Sequence, residues 1–299
     1  MQRIIVIGSV NRDHLYSVPH IVRPGETIAS ESYRTGWGGK GLNQAIALAK
    51  AGAQISLIAK VGHEDYPSLS ALCSAYSLDI SQLHSCALPT GHALIQLDSA
   101  GQNCIIVHSG ANGSFTEHDI QSFLTDCRVG DIFLLQNEIN SSAQIISEIK
   151  KRGGKVALNP SPFTPDILHW PLECLDYLIL NESEAASMTG TDSSEKALEA
   201  LCSTYPALSI FLTLGSEGSC FACGNTRHFH PTHKVNTVDT TGAGDTYTGF
   251  LLAELARGSA VEYAMSIATE AACLCVTRPG AVDSIPSRSE LPSRSPDCV

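Results

Sequence analysis

The chain has 299 residues, 43% of them hydrophobic, enough for one large buried core and too apolar for a disordered segment. Thirty acidic residues against 19 basic ones leave a formal charge of −11. That balance excludes a general nucleic-acid binder and a protein drawn to anionic membranes, because both need a basic face.

The start runs straight into an apolar strand with no signal-peptide pattern, and no apolar run is long enough to cross a bilayer. Several of the 11 cysteines (Cys73, Cys202, Cys273, Cys275) lie in apolar segments, where a reduced thiol acts as a small hydrophobe. A chain this large needs no disulfide staples, so a cytoplasmic protein is expected. Cys220-Phe-Ala-Cys223 is an isolated C-x-x-C. It has no second ligand pair for zinc, and on a strand its side chains would face opposite ways.

Residues 4–7 read as a buried parallel strand. Asn11 and Asp13 follow at its carboxyl end, where open α/β sheets collect their ligands, and both can face a polyhydroxylated ligand. An Asx turn is the plain alternative. Residues 15–38 hold Pro19, Pro24-Gly25 and a polar alternation, and read as two or three short strands outside the main sheet. Residues 36–41 contain a G-x-G-x-x-G, but it comes about thirty residues too late for a dinucleotide-binding βαβ start. It is no Walker A loop either, since Lys40 has no Ser or Thr after it. A flexible backbone carrying Lys40 and Asn43 into a helix over 45–52 suits a neutral polyol.

A strand over 55–61 and a helix over 68–76 come next. A hairpin of 91–98 with 103–108 then completes the small extra sheet. From there strands over 131–136, 156–160, 176–180 and 209–214 alternate with helices, one at 141–152 and another opening at Asn181. This implies a mostly parallel sheet covered on both faces. A hairpin turning at 223–225 leads to the last third. A second apolar helix over 266–276 and a loop over 277–284 follow, and 287–299, rich in Ser, Pro and charge, is expected to fray.

The chain is organised around Val238-Asp-Thr-Thr-Gly-Ala-Gly-Asp-Thr246. Tyr247, Phe250, Leu251 and Leu255 fall at helical spacing and Gly258 reads as a stop, so Gly242, Ala243 and Gly244 lie at a helix N-terminus. Unpaired N–H groups and the helix dipole make that end an anion site. Asp245 beside it can take a proton from an alcohol while the amides meet the moving charge. On this stretch alone, Asp245 serves equally well as a plain helix cap. The nearby candidates have plain readings too. Lys40 fits a solvated lysine, Glu138 a rim carboxylate, Arg278 a surface ion pair, and Asn181 with Glu184 a capping box. Against these stands position: Asn11, Glu138, Asn181 and Gly215 all follow the carboxyl ends of expected parallel strands.

Several motifs occur together and in order: Gly-Ser-Val-Asn-Arg-Asp-His (8–14), Pro-Gly-Glu-Thr (24–27), Gly-Gly-Lys-Gly-Leu-Asn-Gln-Ala (38–45), Ser-Gly-Ala-Asn (109–112), Asn-Pro-Ser-Pro (159–162), Asn-Glu-Ser-Glu-Ala (181–185), Thr-Leu-Gly-Ser-Glu-Gly (213–218), Asp-Thr-Thr-Gly-Ala-Gly-Asp-Thr (239–246) and Val-Thr-Arg-Pro-Gly-Ala (276–281). With them the chain resembles the ribokinase-like (PfkB) carbohydrate kinases from residue 2 to about 286. The resemblance implies a three-layer α/β/α sandwich, forming one domain, with a mostly parallel sheet. A small β-sheet lid made by about 12–40 and 88–108 often pairs with a second copy to give a homodimer.

It also implies ATP-dependent transfer to a small sugar, with D-ribose favoured. Another sugar or nucleoside acceptor, or a non-catalytic sugar-binding regulator on the same fold, is the alternative. By this resemblance Asp245 is the catalytic base and Gly242, Ala243 and Gly244 form the anion hole. Asn11, Asp13, Gly39, Lys40, Asn43 and Glu138 hold the sugar. Asn181 and Glu184 organise Mg²⁺ through water, and Thr213, Gly215, Ser216, Gly218 and Gly244 meet ATP. Thr269 stands on the adenine side, where the family often has Asn or His. Asp239, Thr241, Cys275, Arg278, Gly280 and Ser284 match a monovalent-cation site for K⁺. Arg12, between Asn11 and Asp13, is bulky for its place and would alter sugar choice if it pointed inward. Leu42 stands where a smaller residue is usual.

Overall fold

Alternate residues of β1 (Ile4–Ile7) enter two different cores. In this computed structural model, which describes residues 1–292, Ile4 and Val6 pack on one face of a nine-stranded sheet and Ile5 and Ile7 on the other. The other central strands are β4 (Ile55–Gly62), β8 (Ile132–Gln136), β9 (Lys155–Asn159), β10 (Tyr177–Asn181) and β11 (Ser209–Thr213). They read as short apolar runs because a parallel strand covered on both faces has no solvent side. From one edge the order is β13, β12, β11, β10, β9, β8, β1, β4, β5, where β5 is Leu83–Cys86 and β12 (Gly218–Cys223) and β13 (Thr226–Pro231) form an antiparallel edge hairpin.

One face carries α1 (Lys40–Lys50), α2 (Tyr66–Ala75), α7 (Ala243–Arg257) and α8 (Val261–Cys275). The opposite face carries α3 (Glu117–Phe123), α4 (Ser142–Lys151), α5 (Glu182–Thr189) and α6 (Ser194–Thr204). A separate four-stranded sheet is ordered β3 (Ser32–Gly38), β2 (Asn11–Val18), β6 (Gly91–Asp98), β7 (Asn103–His108). The expected α/β/α sandwich with a small extra sheet is therefore present.

β1 and β8 are neighbours, but the chain leaves β1 toward β4 and leaves β8 toward β9. The crossovers part there and open a crevice at the carboxyl ends of the two strands, the place where such sheets bind ligands. β2 follows β1 directly, so the small sheet rises from the rim of that crevice.

Two helices begin more than a turn earlier than their apolar periodicity suggests. α1 opens at Lys40 instead of 45, because Gly39 (φ 91°) turns the chain and the strongly apolar stripe starts only later. Lys40 and Asn43 therefore sit in the first turns of α1, not ahead of it. α8 opens at Val261 instead of 266. The first part of the tail expected to fray is also tied down: Leu291 is buried, Arg288 bonds the Tyr263 hydroxyl at 3.0 Å and Glu290 pairs with Arg278 at 2.5 Å. The rest of that segment, 293–299, lies outside the described residues.

Candidate active site

α7 begins at the bottom of the crevice. Gly242 takes the N-cap position at φ 78°, no side chain caps the helix, and Ala243 N–H is turned back to Thr240 O at 3.3 Å. Asp245 is the third helical residue and its side chain does not cap. It is buried (7% exposed) and points across to α1, where Oδ2 accepts from Asn43 Nδ2 and Oδ1 from Gln44 Nε2, both at 2.9 Å. The plain helix-cap reading of Asp245 is thus replaced by a carboxylate held between two helices.

At the switch point Glu138 extends from the end of β8. Its Oε2 accepts the Lys40 backbone N–H at 2.9 Å and the Ser9 hydroxyl. Ser9 O in turn receives Leu42 N–H at 2.9 Å. The α1 N-terminus is thereby stitched to β1 and β8, with a carboxylate at its positive end. Glu138 is half-buried, not a solvated rim group. Lys40 also lines the cleft in front of Asp245. Burial disfavours its charge, but Asp245, Glu138 and Glu184 outweigh that and raise its pKa.

Asn11 is buried at the base of β2, and its Oδ1 accepts from Asn112 Nδ2 at 2.8 Å. Asn112 also accepts Val10 N–H at 3.0 Å, clamping the start of β2. Burial pushes the Asp13 carboxyl up to about 6; the charge of Glu138 adds to this and Arg12 opposes it. Arg12 points to the other side of β2. Its guanidinium lies 4.5 Å above the Trp37 ring, with Nε 3.6 Å from Asp65. Alternation along the strand sends it away from Asn11 and Asp13, so it does not crowd that side. Leu42 is fully buried in the core.

Two clefts meet at Gly244. The smaller, about 230 Å³, is bordered by Lys40, Asn181, Glu184, Thr213, Gly242 and Asp245. The larger, about 940 Å³, is bordered by Thr213, Gly215, Ser216, Gly218, Ala243 and Thr269. Asn181, Thr213, Thr240 and Gly244 border both. Asn181 and Glu184 do form the capping box, Asn181 Oδ1 accepting Glu184 N–H at 2.9 Å and Glu184 Oε2 accepting Asn181 N–H at 3.0 Å. Capping holds both side chains at the cleft wall, so the two readings coincide. Thr269 is buried and its Oγ1 has no hydrogen-bond partner.

The residues matched to a cation site lie close together, the Arg278 N–H bonding Cys275 O at 3.0 Å. Asp239 accepts Thr241 N–H and Gly280 N–H, each at 2.9 Å. Burial pushes this carboxyl up, but the donors and Arg34 more than reverse it and leave it below its ordinary value. The Cys275 thiol lies 3.1 Å from Ser284 Oγ and 3.9 Å from Thr241 O. The Arg278 side chain turns away to Glu290, so only its backbone could contribute. The C-x-x-C thiols are both free.

Sequence reasoning assigned no role to several residues of this region. Gln44, Gln136 and Asn159 sit beneath Asp245, and Tyr247, Ala272 and the stretch from Thr232 to Thr237 border the larger cleft. Gln44 lies inside a quoted motif, and a glutamine within a buried helical stripe is a usable signal. The stretch from 232 to 237 has no periodicity to read.

A model described as pfkB family carbohydrate kinase matches residues 1–288. The chain is 32% identical to the ribokinase of Haemophilus influenzae over 302 residues, covering 96% of each. Among solved structures it is similar to a ribokinase from Thermotoga maritima, at 35% identity and TM-score 0.84 over 97% of this chain and 98% of that one. It is also similar to Arabidopsis thaliana ribokinase complexed with ribose and ATP, at 30% identity and TM-score 0.83 over 96% of each chain. The chain belongs to the pfkB family of carbohydrate kinases. It is an ATP-dependent phosphotransferase acting on a sugar hydroxyl.

Proposed function

We propose that this kinase phosphorylates the primary hydroxyl of D-ribose, giving D-ribose 5-phosphate, with Asp245 as general base. The observation that carries this reading is the place of Asp245. It is a buried carboxylate in the cleft open toward Lys40, next to Gly244, where that cleft meets the one reaching Thr269. Asn11, Asp13, Gly39, Lys40, Asn43 and Glu138 supply hydroxyl partners on the sugar side. Asp245 takes the hydroxyl proton as the oxygen attacks the γ-phosphate in line. The amides of Gly242 and Gly244, and that of Ala243 once it leaves Thr240, meet the charge on the transferring group, and the N-terminal dipole of α7 reinforces them. The Arabidopsis relative, complexed with ribose and ATP, supports the same pair of ligands.

Glu184 and Asn181 offer hard oxygen donors that fit Mg²⁺ held through water. Bound there, Mg²⁺ neutralises phosphate charge. Asp239 with the carbonyls and hydroxyl around Thr241, Cys275, Gly280 and Ser284 fits K⁺. On the lid, Ile105, Ile106 and Val107 of β7 are exposed, an apolar strand suited to pairing with a second copy as a homodimer. The described cysteines are free, the state a reducing cytoplasm maintains. No described helix is long and apolar enough to cross a membrane.

The decisive assay is ATP turnover with ribose, 2-deoxyribose, fructose, adenosine and pseudouridine. Ribose should give the highest kcat/KM. Preference for another acceptor would replace ribose, and no turnover with any of them would favour a sugar-binding regulator.

A further inference from the structure

Each oxygen of Asp245 accepts one amide, Asn43 on Oδ2 and Gln44 on Oδ1. An ionised carboxylate can only accept, so Gln44 must present its Nε2 and turn its Oε1 away. That oxygen receives Gln136 Nε2 at 2.7 Å. The same Gln44 nitrogen also donates to Asn159 Oδ1 at 3.0 Å, and Asn159 Nδ2 donates to Ile179 O at 2.9 Å. Asp245 is thereby tied, through one side chain of α1, to β8, β9 and β10 in the middle of the sheet.

Stability alone does not explain this arrangement. Gln44 is fully buried and Gln136 is 1% exposed. Gln136 Oε1 has no partner, and an unmet buried amide oxygen is costly where an apolar side chain of the same size would not be. The residue just past β1 also makes room for the amide: a Cβ on Gly8 would lie 2.2 Å from Gln136 Oε1. Two neutral amides orient a carboxylate without adding charge to a site that already holds Lys40 and Glu138.

We propose that Gln44, with its amide orientation fixed by Gln136, is a positioning residue that sets the plane of the Asp245 carboxylate toward the sugar hydroxyl. Neither glutamine touches the sugar. This rests on the reading of Asp245 as the base. Misorienting a reacting group costs rate while leaving ground-state binding largely intact.

The test uses Gln44→Met, Gln136→Met, their double variant and Asp245→Asn, with kcat, both KM values and thermal melting measured for each. Gln44→Met should lower kcat about 10- to 100-fold with the sugar and ATP KM values within about threefold of wild type. Gln136→Met should lower kcat less. The double variant should match Gln44→Met alone, because Gln136 acts through Gln44. Wild-type kcat in a folded Gln44→Met overturns the proposal, and so does a double variant whose loss is the product of the single losses. If Gln44→Met does not fold, Gln136→Met decides: a lower kcat at unchanged KM supports the relay and an unchanged kcat overturns it. Loss of turnover in Asp245→Asn with both glutamine variants at full rate sinks the relay alone. Near-normal turnover in Asp245→Asn removes the base, and the relay with it.

Discussion

A Cβ on Gly38 would lie 2.1 Å from Asp13 Oδ2 and 2.7 Å from its carboxyl carbon. Gly38 pairs with Asn11 across the β3–β2 ladder, and the Asp13 side chain folds over the space a side chain there would fill. The glycine therefore fixes where the Asp13 carboxylate, proposed to hold the sugar, can stand. Gly38→Ala should displace Asp13 and raise the sugar KM about tenfold or more, as expected for a lost hydrogen bond to a charged group. The ATP KM should not change. Steady-state kinetics with each substrate varied in turn checks this, and an unchanged sugar KM in the folded variant would take Asp13 out of the sugar site.

Asp13 should also leave a mark on stability. Burial, helped by Glu138, raises its carboxyl from an ordinary 3.8 to about 6 in the folded protein. A carboxyl raised on folding stabilises the fold most below its unfolded pKa, and that contribution is lost as pH rises through the folded value. Asp13→Asn escapes this loss. The variant should gain melting temperature over wild type between about pH 4 and pH 7, and then hold the gain. Melting curves across that range test the sign; a gain that shrinks with pH would contradict it. The same titration predicts that wild-type sugar affinity weakens below about pH 6, as the acceptor becomes neutral, and that Asp13→Asn loses this dependence.

Much of this site was legible in the sequence because its residues follow strand ends. Asn11, Glu138, Asn181 and Gly215 each stand just past, or at the end of, an apolar run, and the parallel sheet brings all four ends to one edge. Direction was harder to read. Arg12 sits between two residues assigned to the sugar, and only the pleat of β2 shows that it faces Trp37 and Asp65. Asp245 could not be separated from a cap, because what distinguishes them is a bond to α1 some two hundred residues earlier in the chain. The glutamine pair was only half legible: Gln44 stands in a buried helical stripe, but its link to Gln136 exists only once β8 and α1 are packed together. Arg278 was matched to the cation site by its motif; its side chain pairs with Glu290 in the tail while its backbone N–H bonds Cys275 O.

The cluster around Asp239 predicts a preference among monovalent cations. K⁺ is large and weakly hydrated enough to be held by carbonyls and one carboxylate, and the two N–H donors on Asp239 hold that carboxylate in place. At fixed ionic strength, KCl should raise kcat over NaCl and also raise the melting temperature, since a ligand that binds only the folded state stabilises it. Asp239→Ala should abolish both differences. Equal rates and equal melting in the two salts would refute the site. Cys275→Ser should preserve the preference, because a hydroxyl there can still donate to Thr241 O and face Ser284 Oγ while the backbone carbonyl is unchanged.

Gly249 sets the distance between the two helices that hold the Asp245 carboxylate. A Cβ there would meet Ala47 Cβ at 2.4 Å, Leu48 N at 2.9 Å and the Ala47 carbonyl carbon at 3.0 Å. Asp245 lies one turn before Gly249 on α7, and Asn43 one turn before Ala47 on α1, so this contact is the next layer below the Asn43–Asp245 bond. Gly249→Ala must spread α1 from α7, at a cost of about 1–3 kcal/mol for overpacking. The spreading should lengthen the bonds from Asn43 and Gln44 to Asp245 and lower kcat along with the melting temperature. Ala47→Gly should not rescue the variant, since the Leu48 nitrogen and the Ala47 carbonyl carbon are backbone and remain in the way. It would instead add its own helix penalty of about 1 kcal/mol. Melting and kcat measured on both single variants and the pair decide the matter: full activity in Gly249→Ala would show that the helices can part without disturbing the carboxylate, and recovery in the pair would show that the Ala47 methyl alone stood in the way.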